Sequence, residues 1–299
     1  MAERPKRTRP RGFAPWSPRP ETLSLVQDIC AVLDDYRAHL PLTNRQVFYR
    51  LVATRGFAKT EAAYARLCET CNRARRAGLI PFASIRDDGA ARYEATAWTD
   101  AQAFIRDMRR EAEAFRLDRQ EGQPVRLWVL CEAGGMAPML ARVAASYGVP
   151  VLTSGGFDSV TAKHDLAREI SGALGDGEAA EVLHLGDLDP SGEHLFTSLA
   201  EDVSAMTDAL CGAAPDFTRL AVTREQAERL GLPTAPPKAT DRRRFTGETV
   251  QAEAIDPDTL ADILRDAIEF RRNAEVAGDL LDREADIRGA LVAMMEGTT

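Results

Sequence analysis

Beyond residue 125, short apolar runs alternate with amphipathic stretches, and this alternation limits the fold more than any other feature of the chain. Arg126-Leu-Trp-Val-Leu-Cys131, Val149-Pro-Val-Leu-Thr153 and Glu181-Val-Leu-His-Leu-Gly186 have the length and content of buried strands. Helices fit residues 136–147, 162–174 and 191–210. Strands alternating with helices predict a mostly parallel sheet of the α/β class. In such sheets the chemistry gathers at the carboxyl ends of the strands.

Two acidic groups fall at those ends. Glu132 follows the first of these strands directly, and Asp187-Leu-Asp189-Pro-Ser-Gly192 follows the third. In Asp-x-Asp beyond a strand both carboxylates can point one way, because alternate side chains share a face. Without a counter-ion three gathered carboxylates would raise one another's pKa, whereas Mg²⁺ would make the cluster favourable. Glu132, Asp187 and Asp189 are therefore candidate metal ligands. Helix capping is the competing role, with Asp189 standing before Pro190 at a first helical position.

The N-terminal part reads differently. Leu23, Val26, Ile29, Val32 and Leu33 recur at helical spacing over residues 21–39. Thr43 or Asn44 is an N-cap for a second helix faced by Val47, Phe48, Leu51 and Val52. A third spans residues 60–77, carries Arg66, Arg73, Arg75 and Arg76, and is closed by Gly78. Residues 79–93 read as two short strands about a turn. Three helices with a basic third helix and a β-wing predict a winged-helix, CAP-like module whose third helix enters a DNA major groove. A plain helical bundle has the same helix pattern. On the second helix Tyr49 lies one turn after Arg45, which puts phenol and guanidinium on one face. Arg45 could stabilise a phenolate or a phosphate under attack, so Tyr49 is a candidate nucleophile; a core-edge tyrosine beside an arginine has the same spacing.

Charge follows the same division. Residues 1–124 hold 22 Lys and Arg against 16 Asp and Glu, and residues 125–299 hold 16 against 30. A basic half joined to an acidic one suits a DNA-facing module linked to a cation-holding one. Residues 1–20 form a Pro-rich basic arm around Arg4, Lys6, Arg7, Arg9 and Arg11, expected to be disordered. The chain shows no apolar run of the roughly 18 residues that a membrane span takes, and its first segment is basic where a signal peptide is apolar. Five cysteines suit reduced thiols, so a cytoplasmic protein is expected, and a DNA-facing role would make it nucleoid-associated. Cys68-Glu-Thr-Cys71 lacks the second ligand pair of a zinc site, Gly134-Gly135 and Gly155-Gly156 form no nucleotide-binding loop, and the four histidines show no ligand spacing, although His194 could line the metal site.

In order and content these pieces resemble the A subunit of type IIB DNA topoisomerases, a family that includes topoisomerase VI and the meiotic double-strand-break transesterase. The resemblance rests on Thr43-Asn-Arg-Gln-Val-Phe-Tyr-Arg50, Leu127-Trp-Val-Leu-Cys-Glu-Ala133, Val151-Leu-Thr-Ser-Gly-Gly-Phe157, Leu183-His-Leu-Gly-Asp-Leu-Asp-Pro-Ser-Gly192 and a weaker segment, Val250-Gln-Ala-Glu-Ala-Ile-Asp-Pro257. It implies a winged-helix domain over residues 21–98, a helical linker over 99–124, and a Toprim metal-binding domain with C-terminal helices over 125–299. It further implies that Tyr49 attacks double-stranded DNA to leave a 5′-phosphotyrosyl link, that Arg45 assists, and that Glu132, Asp187 and Asp189 hold Mg²⁺. In the family, tyrosine and metal meet across a dimer interface, which implies a homodimer; strand passage would need a B-type ATPase subunit, because this chain carries no ATPase module. Ala133 and Ser191 stand where the family often has a basic and an aromatic residue, and Gly155-Gly156 lacks the family's lysine, with Lys163 the nearest substitute. A Toprim nuclease using metal-activated water, and a non-catalytic DNA-binding component, are the alternatives.

Overall fold

The computed structural model describes residues 14–86, 95–153, 160–237 and 245–296. The basic cluster of residues 4–11, the expected strand at Arg92 and Tyr93, and Gly155-Gly156 lie outside them. Helix α1 (Pro20–Asp35) starts on a proline, whose missing N–H costs no helical bond there, and buries Leu25, Val26, Ile29, Val32 and Leu33. Strand β1 (Leu42–Thr43) runs straight into α2 (Asn44–Arg55). Thr43 is the cap, in a reciprocal box: its Oγ1 accepts the Gln46 N–H at 3.1 Å and Gln46 Oε1 accepts the Thr43 N–H at 2.9 Å. Loss of that threonine oxygen would cost about 1 kcal/mol. Gly56, at φ 65°, ends α2 in the left-handed region.

Thr60 caps α3 (Glu61–Arg76), which buries Leu67, Thr70, Cys71 and Ala74 and leaves Arg66 and Arg73 exposed. Strand β2 (Ile85–Arg86) pairs in parallel with β1, Leu42 opposite Ile85. The charged stretch after it becomes α4 (Ala101–Glu113), which stops short of the end of the helical linker expected over residues 99–124. Residues 118–123 turn instead, with Gln120 bonding the Leu127 backbone on both sides of its amide.

The α/β part follows the predicted alternation: β3 (Val125–Cys131), α5 (Ala137–Ala145), β4 (Val151–Thr153), α6 (Val160–Gly175), β5 (Ala179–Leu185) and α7 (Pro190–Cys211). Then come β6 (Asp216–Ala221), α8 (Arg224–Arg229), α9 (Pro257–Glu269) and α10 (Ala274–Glu296). The four sheet strands are all parallel in the order β4-β3-β5-β6. β6 was not legible in the sequence, because this edge strand is only part-buried and mixes charged with apolar residues.

Alternation along the strands fills two cores. Trp128, Leu130 and Val182 pack with Leu166 and Ile170 of α6 and Leu199 and Val203 of α7. On the opposite face Leu127, Val129, Leu183 and Leu185 join Leu140 of α5 and Leu264 of α9. Ile29, Leu51 and Leu67 of the N-terminal helices belong to that same core, so α1–α3 are packed onto this side of the sheet. From β3 the chain goes to β4 on one side and then crosses to β5 on the other. The crevice between the ends of β3 and β5 is thus a topological switch point, where ligands bind open α/β sheets.

Candidate active site

Glu132 and Asp187 lie at that switch point. Glu132 comes one residue after β3 and its Oε2 accepts the backbone N–H of Asp187 at 3.0 Å. Asp187 reaches away from the sheet, its Oδ1 accepting the N–H of Ala252 at 2.8 Å. Asp189 caps α7, accepting the N–H of Gly192 at 2.7 Å, with Pro190 at the first position as the capping role required. Gly186 and Gly192 leave room for this: a Cβ on Gly186 would collide with Glu132 Oε2 and the His184 ring, and one on Gly192 with the Asp187 carbonyl.

The three acids share a field. Burial, then the charge of Asp187, pushes the Glu132 carboxyl up to about 7, with Asp189 adding to it. Burial raises Asp187 as well, and Asp189 again adds. The half-buried Arg219 guanidinium of β6 donates to the carbonyls of Gly186 and Asp187 and offsets part of this charge.

As they stand, no three His, Cys, Asp or Glu side chains among the described residues are gathered to hold a metal ion. Each candidate ligand spends one carboxylate oxygen on a backbone N–H. The donor chemistry nevertheless fits a hard divalent cation, since three mutually repelling oxygen donors gain most from one.

On the other side of this cluster stands α2. Tyr49 Oη donates to Gln251 Oε1 at 2.6 Å, and Arg45 Nη1 donates to the same oxygen at 3.3 Å. The predicted Arg45–Tyr49 face therefore converges on one amide, one residue from the Ala252 N–H that holds Asp187. Glu253 adds to the group: its Oε2 lies 3.9 Å from Arg45 Nη1, and its Oε1 accepts from Thr43 Oγ1 at 3.4 Å. Lys59 Nζ stands 5.9 Å from the centre of the Tyr49 ring. Burial pushes the Tyr49 hydroxyl up to about 12; Arg45 opposes this, and the charges of Asp187 and Glu253 reinforce it.

Other sequence candidates fall elsewhere. Lys163 is buried between α6 and α7, bonded to Ser198 Oγ at 3.0 Å and to Asp202 at 2.5 Å, so it does not stand in for a phosphate-binding lysine. His194 is exposed on α7. Cys68 and Cys71 form no disulfide. Gln251, Glu253, Arg219 and His184 were not singled out by sequence reasoning; the first two lie in the quoted segment at residues 250–257, which was the available signal. His184 is fully buried, stacked on Phe196 at 4.8 Å, and neither ring nitrogen has a hydrogen-bond partner among the described residues.

A second feature lies on α3. An open cavity of about 450 Å³ is lined by Trp16, Arg19, Arg66, Glu69 and Arg73. Arg73 is paired with Glu69 at 2.7 Å, so Arg19 and Arg66 give the cavity its positive balance. No helix of the described residues is long and apolar enough to cross a membrane.

Comparison of the chain with known protein families, with curated proteins and with solved structures finds no match.

Proposed function

We propose that this protein is a Mg²⁺-dependent, DNA-cleaving transesterase of the type IIB topoisomerase A-subunit kind, with α1–α3 and the β1–β2 pair as its winged-helix module and the parallel sheet as a Toprim domain. The observation that carries this reading is the meeting of Tyr49, Arg45 and Asp187 on two successive residues, Gln251 and Ala252. Tyr49 shares its anchor with Arg45, and the next residue of the chain holds the switch-point carboxylate Asp187.

In this reading Tyr49 Oη forms a bond to a DNA phosphorus as the bond from phosphorus to the 3′ oxygen breaks. The phenolic proton passes to water and the departing 3′ oxygen takes one up, so charge and atoms balance. Arg45, half-exposed beside the phenol, holds the phosphate and favours phenolate. Glu132, Asp187 and Asp189 would hold Mg²⁺, which when bound supplies positive charge to the phosphate. Neutralising Asp187 also removes one of the charges that keep the Tyr49 proton in place. Because the phosphotyrosyl ester conserves the energy of the broken bond, resealing needs no high-energy cofactor. Double-stranded DNA would lie across α3, a homodimer would bring two such sites to the two strands, and a B-type ATPase subunit would be required for strand passage.

A hydrolytic reading draws on a different observation. Tyr49 is buried, hydrogen-bonded and pushed up to about 12, which suits a structural phenol, with metal-activated water as the nucleophile. One experiment separates the two. Supercoiled DNA with Mg²⁺ or Mn²⁺, quenched with detergent, yields a covalent protein–DNA adduct that Tyr49→Phe abolishes if the transesterase reading holds. Cut DNA with unblocked 5′ phosphates and no adduct would establish the nuclease.

A further inference from the structure

We propose that the cavity between residues 14–19 and α3 is a binding site for a nucleoside monophosphate, its phosphate held by Arg19, Arg66 and Arg73 and its base laid against Trp16. The site stands on its own residues and holds whether or not Tyr49 is a nucleophile.

One wall is a strap. Pro15, Pro18 and Pro20 stiffen it, and the Ala14 N–H donates to the carbonyl of Arg76, at the end of α3, at 3.0 Å. From that tie the chain runs back past Arg73 and Arg66 before it turns into α1. The other wall is one stripe of α3, on which Arg66, Glu69, Thr70 and Arg73 stand at helical spacing. Together they line about 450 Å³, within the range of roughly 300–1,000 Å³ that small-molecule sites occupy.

Charge favours a phosphate monoester. Three arginines and one glutamate line the cavity, and that glutamate is already paired with Arg73 at 2.7 Å. Arg19 and Arg66 are exposed and have no ion-pair partner among the described residues. The excess of positive charge suits the roughly two negative charges of a monoester at pH 7 and is more than a backbone diester neutralises.

Hydrogen bonding points the same way. Thr70 lines the cavity while only 4% exposed, and its hydroxyl has no hydrogen-bond partner among the described residues. An acceptor entering the cavity would satisfy it. The amino end of α1 opens here too, since Arg19 is its N-cap, Thr22 lies in its first turn, and the cap makes no side-chain hydrogen bond. Its positive end therefore adds to the arginines. Trp16 decides for a base: part of the indole packs on the core and the remainder lines the cavity. A phosphate alone has no use for an aromatic wall, whereas a nucleobase stacks on one.

Isothermal titration calorimetry of the full chain with AMP, adenosine and inorganic phosphate tests the site. AMP is expected to bind at least about tenfold more tightly than either of its parts, and Arg66→Ala, a change at an exposed position, to weaken AMP by about tenfold. AMP is also expected to quench tryptophan emission. Trp16→Phe keeps a ring to stack on, so it should bind AMP without that quench. The proposal would be overturned by absence of AMP binding at millimolar concentrations, by inorganic phosphate binding as tightly as AMP, or by Arg66→Ala binding AMP like wild type. Quenching that survives in Trp16→Phe would overturn it as well. Competition reads the source of the nucleotide: a 5′-phosphorylated oligonucleotide that displaces AMP marks a strand terminus as the ligand, and one that does not marks the free nucleotide.

Discussion

Glu132 and Asp187, from the ends of neighbouring strands, are joined by a hydrogen bond from the backbone N–H of one to the carboxylate of the other at 3.0 Å. The bond orients Glu132 while leaving the Asp187 side chain to reach Ala252, so the two acids face the crevice from different anchors.

This relationship gives a pH dependence with a definite sign. The Glu132 carboxyl, raised from 4.5 to about 7 by burial and by Asp187, keeps its proton in the folded chain where the unfolded chain has lost it. Its contribution to stability is present below pH 4.5 and is lost as pH rises through 7. In the absence of divalent cations Glu132→Gln is expected to gain stability over wild type between pH 5 and pH 8, by on the order of 2 kcal/mol. Thermal denaturation at the two pH values checks it, and added Mg²⁺ should raise the melting temperature of wild type at pH 8 but not that of the variant.

Gly186 is where that arrangement is least tolerant. Gly186→Ala would push a methyl group into Glu132 Oε2 and the His184 ring, neither of which is a loose surface group. A loss of about 1–3 kcal/mol in chemical denaturation is expected, together with weaker Mn²⁺ binding by electron paramagnetic resonance. Unchanged values for both would mean the strand end can shift without cost.

His184 acts on acid stability. Burial, with Arg219 nearby, lowers its pKa from 6.5 to about 3, so the folded chain stays neutral there while the unfolded chain takes up a proton. Its contribution is complete above pH 6.5 and is lost as pH falls towards 3. His184→Leu removes a buried polar ring without hydrogen-bond partners among the described residues, so its neutral-pH stability should lie within about 1 kcal/mol of wild type. Its acid unfolding midpoint should move to lower pH, as read by circular dichroism.

On α3, Arg66 and Arg73 are exposed on the cavity that also takes in Arg19. If DNA phosphates bind there, Arg66→Ala should weaken binding of all sequences alike and lower the slope of log affinity against log salt by about one. Arg73→Ala should do less, because Glu69 already neutralises Arg73. Fluorescence anisotropy at several salt concentrations measures both.

The parallel sheet was legible because three of its strands are short apolar runs with nothing else to become, and Asp189 was legible as a cap because proline follows it. Arg45 and Tyr49 could be placed on one face from their spacing alone. What they face could not: Gln251 lies some two hundred residues further on, and local periodicity carries no information about contacts at that separation. Edge strand β6 hid Arg219 for a related reason, since half-solvated strands lack a clean apolar pattern. Of the β-wing expected at residues 79–93, the described residues show one short strand, β2, which pairs in parallel with β1 instead of with a second wing strand; residues 87–94 lie outside them.

Because Gln251 and Ala252 are neighbours in the chain, a shift of the backbone that holds the carboxylate also moves the residue that holds the phenol. Under the proposed function, a cation that draws on Asp187 would alter the placement of Tyr49, and DNA that draws out Tyr49 would alter the affinity of the cation by the same factor, in either direction. Cation and DNA would then each report the presence of the other before any bond is broken.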